Sequence, residues 1–116
     1  MASEEVQPDE RRRHTRRSLR GASHLQFASQ PAVETRTVDV SASGLGIIAP
    51  VNPPTGMACN IRFLLPIEPE RNVTISATAL VTHSVFTQAE SGFKVGLMFT
   101  DLSPQTLGLL MRYVNR

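Results

Sequence analysis

Apolar positions in this chain recur at spacing two over most of its length and at helical spacing only near the end. The cleanest case is GFKVGLMFTDL from Gly92, where Phe93, Val95, Leu97 and Phe99 share one face of an extended strand. Earlier stretches repeat the pattern less strictly: HLQFAS around Leu25 and Phe27, VETRTVDV over 33–40, LGIIA over 45–49, MACNIRFLLPI over 57–67, and the long VTISATALVTHSVFT over 73–87. In VETRTVDV the residues Val33, Thr35, Thr37 and Asp39 alternate with Glu34, Arg36, Val38 and Val40. SASGLG, PVNPPTG and EPERN separate the runs with small residues, prolines and glycines, and Gly92 opens the last one.

After Leu102 the period changes. Ser103 suits an N-cap, Pro104 the first helical position, and Leu107, Leu110, Met111 and Val114 fall at i, i+3, i+4 and i+7. This stripe predicts a short amphipathic helix over 103–115 packed against the sheet. Five to seven strands and one helix predict a mainly all-β fold, a small antiparallel barrel. With 116 residues the chain holds one domain, preceded by a polar, acidic stretch, 1–10, that reads as disordered.

Composition narrows the function classes. The longest strongly apolar run, IRFLLPI, is far short of a membrane span, and nothing at the start reads as a secretory signal. Cys59 has no possible disulfide partner in the chain and reads as a small core hydrophobe. A cytoplasmic protein is the expectation. No nucleophile elbow, zinc motif, Walker loop or dinucleotide fingerprint is present, so an enzyme is not expected, and neither a metal nor a cofactor is called for. His83 reads as a strand-rim residue rather than a ligand, and His14 and His24 stand apart from it.

Charge is uneven. Residues 11–20, RRRHTRRSLR, hold six of the twelve basic side chains, and all of the +2 net charge lies in residues 1–20. Arginine offers a planar fork of donors that fits phosphate oxygens and guanine edges. Taken alone, such a segment reads as a solvated tail, or as one that binds nucleic acid or protein loosely as a basic adaptor. DVSASG, Asp39 to Gly44, supplies a second feature: in extended backbone Asp39 and Ser41 project from one face, outside the core, and Gly44 admits a positive φ or a ligand close to bare backbone.

RRHTR from Arg12 to Arg16 is an R-x-x-x-R, and DVSASG is a D-x-S-x-x-G. Followed by GFKVGLMFTDLSPQTLGLLMRYV, they make the chain, over roughly residues 10 to 115, resemble the PilZ domain family, bacterial receptors for cyclic di-GMP. The resemblance implies a six-stranded antiparallel β-barrel with a C-terminal α-helix and a flexible Arg-rich N-terminal segment. It implies that Arg12, Arg13, Arg16, Asp39, Ser41 and Gly44 bind cyclic di-GMP, with Arg11 and Arg17 accessory and Arg20 of less account. Arg13 and Arg17 also fit R-x-x-x-R, although the following residues suit a motif ending at Arg16 better. Partners implied are cyclic di-GMP and an unidentified downstream protein, with nucleic acid disfavoured. Whether one ligand or a stacked pair binds, and the oligomeric state, stay open.

Overall fold

A computed structural model describes residues 15–68 and 71–116. Six strands, β1 (Arg17–Gln26), β2 (Val33–Val40), β3 (Gly44–Ala49), β4 (Ala58–Glu68), β5 (Arg71–Thr87) and β6 (Gly92–Asp101), precede one helix, α1 (Pro104–Val114). They close in the order β1-β2-β3-β6-β5-β4, every neighbour antiparallel, with β1 against β4 as the seam. This is the six-stranded barrel and C-terminal helix that the sequence leads one to expect. Residues 1–14, including Arg11, Arg12 and Arg13, lie outside the described residues.

Inward positions fill the barrel. Leu25, Leu45, Ile47, Phe63, Leu65, Val81 and Val95 are all buried to below 2 % exposure. β4 alternates without interruption, with Ile61, Phe63, Leu65 and Ile67 inside and Leu64 outside. Three inward positions are polar: Ser23, Thr35 and Thr37. Their hydroxyls are satisfied locally, Ser23 Oγ with Thr35 Oγ1 at 2.5 Å and Thr37 Oγ1 donating to the Gly21 carbonyl at 3.3 Å, so their burial leaves no orphan group. β1 begins at Arg17, well before HLQFAS, the first stretch in which the period-two pattern is visible.

Two of the register shifts between strands shape the outer wall. Thr37 pairs with Ile47 but Asp39 pairs with the very next β3 residue, Gly46, so Val38 is an extra residue on β2. Val81 pairs with Leu97 and His83 with Gly96, so Thr82 is extra on β5. Strict alternation would have carried Asp39 inward with Thr35 and Thr37, and His83 inward with Ala79 and Val81. The bulges turn both outward, and the one at Val38 lets Val40 enter the core.

Helix α1 starts as expected: Ser103 is the N-cap and its Oγ accepts the Thr106 N–H at 3.1 Å, with Pro104 following. Its buried face differs from the expected stripe. Leu110, Tyr113 and Val114 are buried, while Leu107 and Met111 are 38 % and 46 % exposed. Tyr113 rotates the helix because β1 recruits it. Its hydroxyl donates to the Ser18 carbonyl at 2.7 Å, the Arg17 guanidinium stands 4.5 Å from its ring centre, and Arg17 donates to the Tyr113 carbonyl at 2.7 Å. The helix thereby closes the barrel end where β1 begins and β4 finishes, Arg116 reaching the Pro66 carbonyl at 3.0 Å.

Tyr113→Phe should lower unfolding free energy by about 1 kcal/mol, the usual worth of one such bond, and Tyr113→Ala by about 3 kcal/mol or more as the helix loses its anchor. Urea titration followed by circular dichroism reads both. Burial pushes the Cys59 thiol up to about 11 from its ordinary 9.0. A folded-state pKa above the unfolded one stabilises fully below pH 9, and that stability is withdrawn between pH 9 and 11. Wild type should therefore lose more stability than Cys59→Ala when the same titration is moved from pH 8 to pH 10.5.

Candidate functional site

On the outer wall of the barrel four strands place four residues in one transverse row. Asp39 on β2 pairs with Gly46 on β3, Gly46 with Gly96 on β6, and Gly96 with His83 on β5. The two bulges supply the ends of this row and the two glycines its middle. A Cβ at Gly46 would come within 2.5 Å of Asp39 Oδ1, and one at Gly96 would occupy the place of the His83 ring. Both side chains therefore lie across bare backbone instead of standing away from it. The result is a groove of about 300 Å³ walled by Arg16, Asp39, Thr82, His83 and Lys94 and floored by the glycine pair.

Arg16 and Asp39 close one side of it. Arg16 Nη2 donates to Asp39 Oδ1 at 2.8 Å, with the guanidinium half exposed and the carboxylate a quarter exposed. The next residue, Arg17, points the other way, to Tyr113 of α1. Consecutive arginines at the mouth of β1 thus serve different partners, one facing the groove and one facing the helix.

DVSASG divides its labour in a way the sequence does not reveal. Ser41 was expected beside Asp39 on an outer face; it is instead fully buried, its Oγ accepting the N–H groups of Ser43 and Gly44 at 3.1 Å each. The Ser41 N–H donates to the Gly44 carbonyl at 2.9 Å, closing a tight β2–β3 hairpin, and the Phe99 N–H binds the Ser43 carbonyl at 2.9 Å. The end of β2 at Val40 is the reason: Ser41 already belongs to the turn, where strand alternation no longer sets the direction of a side chain. Gly44 likewise does not take a positive φ, and it stands under β6, where a Cβ would fall against the Leu97 carbonyl oxygen. Serine and glycine build the turn that holds Asp39.

His83 is the groove residue that sequence reasoning set aside, together with Lys94, Gly46 and Gly96. Its strand gave no hint, since period two counted from Val81 carries it inward. The signal available was only the pairing of a lone histidine with a glycine in the next strand. Among the described residues no group of three His, Cys, Asp or Glu side chains could hold a metal ion. No helix among them is long and apolar enough to cross a membrane.

The family model for the PilZ domain matches residues 10–116. The chain belongs to the PilZ domain family. PilZ domains are receptor and effector domains. Two solved structures resemble this one. The Bacillus subtilis inhibitor of motility, MotI/DgrA, has a TM-score of 0.80 at 19% identity, with 90% of this chain covered and 50% of that one. This PilZ chain thus spans half the length of that protein. The PilZ domain of Escherichia coli YcgR, solved with c-di-GMP, has a TM-score of 0.65 at 18% identity, covering 90% of this chain and 89% of that one. No curated protein matches the chain in sequence.

Gly44→Ala should destabilise the ligand-free protein by about 1 to 3 kcal/mol, because a backbone carbonyl cannot make room as a side chain would. A fall in thermal midpoint measured without any ligand checks this. An unchanged midpoint would return Gly44 to a role at the ligand alone.

Proposed function

We propose that this chain is a cyclic di-GMP receptor that binds its ligand on the outer wall of the barrel, in the groove between Arg16, Asp39 and His83. The observation that carries the reading is the Arg16–Asp39 ion pair at 2.8 Å over Gly46, which brings one residue from each PilZ motif to the same groove. The ligand offers two phosphates and two guanines. Phosphate oxygens take the Arg16 guanidinium in place of the Asp39 carboxylate, and Asp39 turns to accept from the guanine N1 and N2 hydrogens. The glycine floor admits a flat base against backbone, and the His83 ring gives it an aromatic face. Ser41 and Gly44 act by fixing the turn behind Asp39.

Arg12 and Arg13 are the further ligands. Three or four residues of extended chain before Arg16 reach at most about 14 Å, enough to fold back over a nucleotide seated in the groove. The direction of Arg16 favours a motif of Arg12 and Arg16, because Arg17 is engaged by Tyr113. Arg11 is accessory. The segment wraps onto the barrel when the dianion arrives, exchanging ordering entropy for charge-assisted bonds, and the newly ordered surface, 11–20, is what a downstream protein in the cytoplasm reads.

Titration calorimetry with cyclic di-GMP tests this. Wild type should release heat on binding, and Arg12→Ala, Arg16→Ala and Asp39→Ala should each weaken binding by about 10- to 100-fold, the worth of one charged hydrogen bond. No heat from wild type, or unchanged affinity in all three variants, would sink the reading. Equal affinity for GTP and cyclic di-AMP, falling steeply with salt, would instead make the chain a nonspecific polyanion or nucleic-acid adaptor.

A further inference from the structure

Strand β5 is longer than the barrel needs. β4 accompanies it only to the Ala58–Leu80 pair, after which the β3–β4 loop contributes two last bonds, Val81 N–H to the Met57 carbonyl at 3.0 Å and Gly56 N–H to the Val81 carbonyl at 2.7 Å. From Thr82 to Thr87 the strand has β6 on one side and, among the described residues, no partner on the other. An edge of this kind presents every second peptide N–H and C=O outward.

Natural edges are usually guarded by lysine, proline, a bulge or a cover. This one, THSVFT, carries neither proline nor an acidic, lysine or arginine side chain, and its bulge at Thr82 falls at the first residue, leaving His83 to Thr87 in regular register with β6. It also exposes Val85 and Phe86, at 61 % and 58 %, with Phe86 set edge-on to Phe93 of β6 at 5.5 Å between ring centres. From Asn72 to Ala89 the sequence has no acidic, lysine or arginine side chain.

We infer that the β5 edge over 82–87 pairs antiparallel with the same edge of a second copy of this chain, forming a dimer with a continuous sheet. Charge selects the occupant. A strand that pairs with itself in reverse sets the residue at its centre opposite its own copy and the others close to the axis, so like charges there would repel, and this stretch has no acidic, lysine or arginine side chain. The chain's own residues 1–14 hold seven charged side chains and Pro8, and find no counter-charge or matching pattern here. A two-fold axis normal to the sheet keeps each face on its own side. In the register centred on Val85, that valine meets Val85 of the second copy, and His83 meets the second copy's Thr87. The neighbour's hairpin then stands along the His83 side of the groove. The dimer does not depend on which ligand the groove takes.

The test is sedimentation of the full chain over roughly 10 to 500 µM, a range suited to an interface smaller than the standard size. Wild type should pass from monomer to dimer, Val85→Lys and Val85→Glu should each weaken the dimer by at least about tenfold, and an equimolar mixture of the two should restore it. Wild type monomeric throughout, both variants as dimeric as wild type, or a mixture no tighter than its components would overturn the proposal. Should either variant fail to fold, amide exchange of wild type at 84–87 decides. Protection that rises with protein concentration supports the dimer, and protection independent of concentration overturns it by placing a segment of the same chain on the edge.

Discussion

Two extra residues, Val38 on β2 and Thr82 on β5, decide where this protein keeps its chemistry. A closed six-stranded barrel imposes alternation on every strand, and its interior is filled by Leu25, Leu45, Ile47, Phe63 and Val95 with no room for a charge. Without the bulges Asp39 and His83 would follow their neighbours inward, and an unpaired carboxylate there would carry a burial cost of several kcal/mol. With them, both side chains come out at the two ends of one row, and on β2 Val40 takes up the space inside. Core and site are settled by the same local insertion.

The groove that results combines a stiff floor with a loosely held side. Its floor is paired backbone at Gly46 and Gly96, tied into ladders on both sides. Its side is an ion pair between a half-exposed guanidinium and a partly exposed carboxylate, a class of contact worth about 0 to 1 kcal/mol. An anion able to fork onto arginine has little to overcome there. The neighbouring Arg17 is held more firmly, by a carbonyl and an aromatic ring, and so the backbone just behind Arg16 stays fixed to α1.

Much of this was legible in the sequence. Period two in β6 and the Ser103–Pro104 start of α1 needed only local information, and the structure agrees with both. What was not legible depends on contacts between distant residues. The rotation of α1 that buries Tyr113 and exposes Met111 comes from Ser18 and Arg17, more than ninety residues away in sequence. The outward turn of Asp39 follows from a bulge that no residue type announces, since Val38 is as ordinary in a strand as Val40. His83 was passed over for the same reason, because its value lies in standing opposite Gly96, and register is a property of two strands together. The motif residues stand out in the sequence because their types suit an anionic, base-bearing molecule; where each of them sits is set by pairing.

The row Asp39–Gly46–Gly96–His83 also separates two kinds of mutational freedom. The side chains at its ends touch solvent and contribute nothing to the packed interior, so exchanging them alters the chemistry of the wall at little expense to folding. The glycines beneath are tied to those occupants, because a Cβ at either position would collide with Asp39 or with the His83 ring where they now lie. A scaffold arranged in this way has room for large side chains lying flat on its wall only while its floor stays glycine.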